Sequence, residues 1–218
     1  LVNQGVTHRF GANVLPALEL RAGVPKHLRT LVVVPTLLTS EKSIDAQISL
    51  LEIHHLASLA GDVQFALLSD WTDAPSEEAE GDPALLKIAI DGIARLNQRH
   101  GPAPGGGRFL LFHRRRVWSP SQRKWLGWER KRGKLHELNQ LLRGARDTTF
   151  LPLDGHPPQA PEGVRYVITL DADTRLRRDS IRRLIGKMAH PLNAPRLEAA
   201  TGRVVEGHAV LQPRITTA

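Results

Sequence analysis

Tyr166-Val167-Ile168-Thr169-Leu170-Asp171-Ala172-Asp173 is an apolar run that ends in two carboxylates one residue apart. Such a run reads as a buried strand, and strands of an open α/β sheet deliver their C-terminal ends to the crevice where ligands bind. Residues i and i+2 of an extended segment project to the same side, so Asp171 and Asp173 can share one target. Two hard oxygen donors suit Mg²⁺ or Mn²⁺, which keeps waters and bridges to substrate phosphates. The same D-x-D spelling also occurs in turns and helix caps that hold no metal. Because residues 166–170 offer no polar face to water, this strand is expected to lie centrally in its sheet.

Outward from this run, strands alternate with amphipathic helices. Leu31-Val32-Val33-Val34-Pro35 reads as a short buried strand stopped by proline, followed by a helix with Ile44, Ile48, Leu51 and His55 on one stripe and Ser43 as its cap. Val63–Leu68 is the next strand, running into Ser69-Asp70-Trp71-Thr72-Asp73. Asp82-Pro83 opens a second helix, with proline at a first-turn position. Phe109–His113 is a third strand. A basic, tryptophan-bearing loop leads to a helix over 134–143, closed by Gly144. After the strand at 166–170, a helix over 180–188 capped by Asp179 precedes extended segments near 199–205 and 209–212. This order predicts an α/β fold with a mostly parallel, doubly wound sheet and helices on both faces. Residues 1–30 read as a lead-in arm.

The chain has 218 residues, 41% of them hydrophobic and 24% charged, enough for a substantial soluble core. It contains no cysteine, which excludes disulfides and thiolate metal sites. No apolar run approaches the roughly 20 residues that span a bilayer. The only methionine is Met188 and the C-terminal residues form no helix or turn closure, so the chain reads as a piece of a longer protein. The net charge of +8 favours an anionic partner. Its excess lies in Arg114-Arg115-Arg116, Arg123-Lys124, Arg130-Lys131-Arg132-Gly133-Lys134 and the run from Arg175 to Arg183.

Parallel strands share direction, so their ends at Pro35, Asp70 and Asp171 should converge on one edge. There Asp70 and Asp73 suit hydrogen bonds to a base or ribose, although acids in such loops also serve as caps. Gly133 and Lys134 at a helix start would set free amides and a cation against a diphosphate, with Arg114–Arg116 supplying a rim of positive potential. Asn139, one to two turns inside, could orient substrate. Trp118, Trp125 and Trp128 among arginines and lysines could stack on sugars or bases. The adjacent His54 and His55 point about 100° apart on a helix and read as packing, not as a metal pair.

Val-Val-Val-Pro-Thr at 32–36, Leu-Ser-Asp-Trp-Thr-Asp at 68–73, Gly-Lys-Leu-His-Glu-Leu-Asn at 133–139 and Thr-Leu-Asp-Ala-Asp-Thr at 169–174 together resemble a GT-A, family-2-like glycosyltransferase. The finer text resembles the cyclic β-1,2-glucan synthases over about residues 30–214. It includes Arg114-Arg115-Arg116-Val117-Trp118, Trp128-Glu129-Arg130-Lys131-Arg132-Gly133-Lys134 and Val205-Glu206-Gly207-His208-Ala209-Val210-Leu211-Gln212-Pro213-Arg214.

The resemblance implies a Rossmann-like GT-A fold truncated on its C-terminal side, with residues 31–218 its donor-binding portion. It implies an inverting, metal-dependent hexosyltransferase that moves glucose from UDP-glucose to a growing β-1,2-glucan. Thr36, Asp70, Asp73, Arg132, Lys134, Asn139 and Asp171 would bind the donor, and Asp171 and Asp173 the Mg²⁺ or Mn²⁺. Its partners would be UDP-glucose, the glucan acceptor and the rest of a large parent enzyme at the cytoplasmic face of the bacterial inner membrane. The catalytic base is expected beyond residue 218, so the 218-residue piece alone is expected to be inactive. The rival reading is a non-catalytic basic module for RNA or an anionic surface; no RNP or KH motif favours nucleic acid.

Overall fold

The structure is a computed structural model that describes residues 15–58 and 61–213. Residues 1–14 of the expected arm and Arg214 of the last motif lie outside the described residues. The chain divides into two compact units, residues 22–181 and a second formed by residues 1–21 with 182–218.

The larger unit is built on a four-stranded, wholly parallel sheet, in keeping with its near-continuous apolar runs. β1 (Thr30–Leu38), β2 (Val63–Trp71), β3 (Phe109–Arg114) and β6 (Tyr166–Thr169) stand in the order β3-β2-β1-β6. The short strands β4 (Val117–Ser119) and β5 (Lys124–Leu126) form a separate antiparallel hairpin. α1 (Glu41–Leu56) follows β1, α2 (Asp82–His100) follows β2, and α3 (Arg130–Leu142) follows the hairpin. The sheet carries helices on both faces. Leu138 and Leu141 of α3 pack with Leu31, Val33, Ala66 and Leu68. On the opposite face His55 of α1 meets Phe65 and Phe109 edge-on. The α/β, doubly wound expectation is met.

Several local expectations are corrected. β1 does not stop at Pro35 but stays paired with β2 out to Leu38↔Trp71. Val33 accepts a hydrogen bond from the Leu170 amide, and Pro35 points to the same side two residues on. There β6 has already ended, at Thr169 opposite Val33. The missing proline N–H therefore costs no ladder bond. Ser40, not Ser43, caps α1, its hydroxyl accepting from the Ser43 amide at 3.2 Å. α3 starts at Arg130, four residues before the expected start.

β6 is not central. Among the described residues it pairs only with β1, and Val167 is 37% exposed. The face bearing Val167 and Thr169 is open as well, so the apolar run foretold neither a cover on both faces nor a neighbour on each edge.

In the smaller unit, the Leu18 amide donates to the Gly186 carbonyl of α4 (Ser180–Ala189) at 3.0 Å. Asn193 donates to the carbonyls of Pro16 and Lys187 at 2.8 and 2.7 Å. A two-stranded hairpin pairs β7 (Arg196–Leu197) with β8 (Val204–Glu206). The segment 209–212 forms no strand.

Candidate active site

The strands' shared direction brings the ends of β1, β2, β3 and β6 to one edge of the sheet, where a buried charge cluster lies. Asp70, near the end of β2, stands in register with Arg114, the last residue of β3. Arg114 grips both Asp70 oxygens at 2.7 and 3.0 Å and donates to Glu137 of α3 at 3.1 Å. Lys134 lies 3.0 Å from Asp70 and donates to the Thr36 carbonyl at 2.6 Å. Glu137 also accepts from the amide and hydroxyl of Thr149 at 2.8 and 2.7 Å. Two carboxylates thus balance two cations in a cluster sealed from water: Asp70 is 2% exposed, Arg114 0% and Lys134 3%. Charges this deep persist only when paired and hydrogen-bonded. Burial lowers the Lys134 pKa below the ordinary lysine value, and the Asp70 carboxylate works against that shift.

Arg114 also shapes the connector into α3. Its remaining contacts run to the carbonyls of Trp128 and Arg130, at 3.1 and 3.2 Å. Glu129 and Arg130 both adopt left-handed backbone, φ 48° and 49°, a costly state for non-glycine residues. Gly127 lies against the cluster, where an added Cβ would come 2.6 Å from an Asp70 oxygen. At Gly133 a Cβ would fall 1.9 Å from the Trp128 carbonyl. The Gly133 amide is not free for a phosphate, as the sequence suggested; it donates to the Glu129 carbonyl at 3.1 Å inside the helix.

Outside the cluster the same edge carries exposed ion pairs. Arg130 makes a two-pronged pair with Asp73 at 3.0 and 2.9 Å and also reaches Gln122. Lys131 pairs with Asp171. Asp171-Ala172-Asp173-Thr174 is a turn, closed by the Thr174 amide on the Asp171 carbonyl at 2.9 Å and tethered by Gln47 of α1, which donates to the Ala172 carbonyl at 3.2 Å. Both acids are exposed, and Asp173 has no ion-pair or hydrogen-bond partner among the described residues.

Of the other residues expected to bind a donor, Thr36 is half-buried and meets Lys134 through its carbonyl. Arg132 is exposed and pairs with Glu129 one turn away, at 2.5 Å. Asn139 is exposed, on the side of α3 turned from the buried stripe of Lys134, Glu137, Leu138 and Leu141. The edge therefore gathers Thr36, Asp70 and Lys134 in one buried cluster, with Asp73 and Asp171 at its rim.

The positive rim expected from Arg114–Arg116 does not exist as such. Only Arg115 is exposed. Arg116 is buried, with a two-pronged pair to Asp82, a 2.7 Å bond to the Thr72 carbonyl and the Trp71 ring 5.4 Å away. Sequence reading also missed Glu137. The signal was present: Lys134 and Glu137 share a helix stripe with Leu138 and Leu141, and charges on a core-facing stripe must be paired. Trp118 and Trp128 are about half exposed, while His54 and His55 act as packing residues.

Among the described residues no group of three or more acids or histidines is gathered as a metal cage. Asp171 and Asp173 lie in a turn and not in the extended segment expected, so strand alternation does not set them on one side. As two exposed carboxylates they still match the donor chemistry of a divalent cation of the magnesium type, which takes one or two carboxylates and fills its other positions with water and phosphate oxygens. Their exposure leaves room for such partners. Among the described residues no helix is long and apolar enough to cross a membrane.

The chain is 50% identical over 202 residues to the cyclic β-(1,2)-glucan synthase NdvB of Rhizobium meliloti (strain 1021). That similarity covers 93% of this chain and 7% of the relative's length. No family model matches the chain.

Proposed function

We propose, for a chain that belongs with the cyclic β-(1,2)-glucan synthases as a segment related to them, that it binds the nucleotide-sugar donor of a glucan-forming glycosyltransferase. The observation that carries this reading is the meeting of Asp70, Asp73, Asp171 and Asp173 at one sheet edge, in a chain half identical to part of such a synthase. The donor is UDP-glucose and the acceptor a growing β-1,2-glucan. The rest of the synthase lies in cis, at the cytoplasmic face of the inner membrane.

In this reading Asp73 and the rim of the buried cluster hold the uridine. Asp171 and Asp173 hold Mg²⁺ or Mn²⁺, which when bound neutralises charge growing on the departing diphosphate. The Asp70–Arg114–Lys134–Glu137 cluster fixes the ends of β2 and β3 and the start of α3, so the acids meet the donor already oriented. The acceptor hydroxyl attacks the anomeric carbon opposite the diphosphate and inverts an α-linked donor to a β-linkage. A base from outside these residues takes its proton.

Arg29, Arg114, Arg116 and Lys134 pair with the buried acids Asp62, Asp70, Asp82 and Glu137, so these four cations are not offered to a polyanion, while the net positive excess stays with the other residues. Calorimetric titration with UDP-glucose, with and without Mn²⁺, tests the donor reading. Mn²⁺-dependent binding lost in Asp171→Asn is the expected result, and equal binding without metal would refute the metal-held donor.

A further inference from the structure

We infer that the cations meeting the donor's diphosphate are Arg130 and Lys131, and that they reach it by leaving Asp73 and Asp171. The inference rests on the donor-binding reading above and assigns roles within that site. Three observations carry it.

The first is availability. Lys134 is enclosed between Asp70 and the Thr36 carbonyl, while Arg114 and Arg116 are wholly buried in their own pairs. Arg130 and Lys131 keep about half of their side-chain surface in water, 56% and 52%.

The second is placement. These two residues are consecutive, yet they pair with acids carried by different strands, Asp73 beyond β2 and Asp171 beyond β6. β1 stands between those strands, which puts them two strand spacings, about 10 Å, apart across the sheet, and β6 ends level with Ala66, before the end of β2 at Trp71. The pair of cations therefore bridges the edge on which both acids open.

The third is the contrast between backbone and side chain. Arg114 holds the Trp128 and Arg130 carbonyls, the left-handed Glu129 and Arg130 fix the path, and Gly133 packs against the Trp128 carbonyl. Strained backbone kept in place by buried partners is a mark of functional positions. The ion pairs on this rigid connector are solvent-exposed, a class that is weak and easily exchanged.

The chemistry of a metal-bound nucleoside diphosphate matches that arrangement charge for charge. Its divalent cation takes over the carboxylate of Asp171, and its phosphate oxygens take over Arg130 and Lys131. Asp73 is freed for the nucleoside's hydroxyls. Asp171, Arg130 and Lys131 each exchange one charged partner for another, and Asp73 exchanges the guanidinium for neutral hydroxyl donors.

The test uses the full-length protein carrying this chain, with radiolabelled UDP and Mn²⁺ as probes. Arg130→Gln and Lys131→Gln should each weaken UDP binding in saturating Mn²⁺ by about tenfold, the loss of one charge-assisted contact. Without UDP, Lys131→Gln should tighten Mn²⁺ about threefold, because Asp171 loses an internal competitor. Electron paramagnetic resonance reads free Mn²⁺, with Asp171→Asn as the baseline for ions bound elsewhere. A purely structural role for Lys131 moves both affinities the same way or neither, and either result overturns the exchange. Wild-type Mn²⁺–UDP binding with unaltered binding in both variants overturns this inference alone. No Mn²⁺–UDP binding by the wild-type protein overturns the donor reading and this inference together.

Discussion

Asp70 and Arg114 face each other in register across β2 and β3, joined through both carboxylate oxygens and almost fully buried. That pair is the hub on which the candidate site is built. Through Glu137 it orients α3, and through the carbonyls of Trp128 and Arg130 it sets the connector bearing the exposed cations.

Removing Arg114 leaves Asp70 and Glu137 buried, with Lys134, 3.0 Å from Asp70, as the one remaining cation paired to the cluster among the described residues. Arg114→Met should cost about 3–5 kcal/mol in denaturant unfolding, the range for breaking a buried pair from one side. Arg115→Ala, one residue on, should stay within about 0.5 kcal/mol, since its 3.5 Å contact with Glu77 is exposed. Similar effects from both variants would show that the buried cluster is not what stabilises this edge.

Gly133 tests the connector separately from charge. A methyl group there meets the backbone of Trp128, which cannot rotate away, so Gly133→Ala should destabilise by about 1–3 kcal/mol despite alanine's better helix propensity. Gly144, at φ 93° with open space around it, should cost about 1 kcal/mol on the same change, from backbone strain alone. Equal small losses at both positions would mean that the connector yields.

The sheet was legible because parallel strands covered by helices are written as near-continuous apolar runs, and Leu31–Val34, Val63–Leu68 and Phe109–Phe112 are such runs, broken only by Gln64. Strand ends were less legible. Pro35 looked like a stop, and only the early end of β6 makes it harmless. The acids of the edge could be found because each lies at or just beyond the end of an apolar run. Their counter-ions could not: nothing local tells that Arg114 and Arg116 turn inward while Arg115 turns out, except the alternation of a strand whose end was placed one residue too early. Glu129 and Arg130 in left-handed backbone have no signature in residue type, because neither is glycine or asparagine.

Acid should weaken this fold earlier than carboxylate chemistry alone requires. Burial pushes His113 down to about 3 and His55 down to about 4, and it lowers His54 as well. These folded values lie below the unfolded value of about 6.5, so between them the unfolded chain binds more protons. Stability from these groups is complete above pH 6.5 and falls as pH drops, by up to about 1.4 kcal/mol per pH unit for each histidine. Denaturant midpoints from pH 8 to 5 should be flat at first and then decline. His113→Asn should flatten part of the decline, and an unchanged slope would remove His113 from the account.

Asp173 separates the metal reading from a structural one. Its carboxylate is exposed, sits in a turn fixed by the Asp171–Thr174 backbone bond and Gln47, and has no partner among the described residues. Asp173→Asn keeps the side chain's shape and removes one anionic oxygen donor. Unfolding free energy should therefore change by less than about 0.5 kcal/mol, as for other surface substitutions. In the full-length protein the same change should abolish incorporation of labelled glucose, because a cation held by two carboxylates loses one of them. The variant should also raise the Mn²⁺ concentration needed for UDP-glucose binding. A capping or solubilising acid predicts the opposite pattern, with synthesis near normal at matched expression and the Mn²⁺ requirement unmoved. Glucose incorporation and Mn²⁺-dependent donor binding, measured on one preparation, decide between the two.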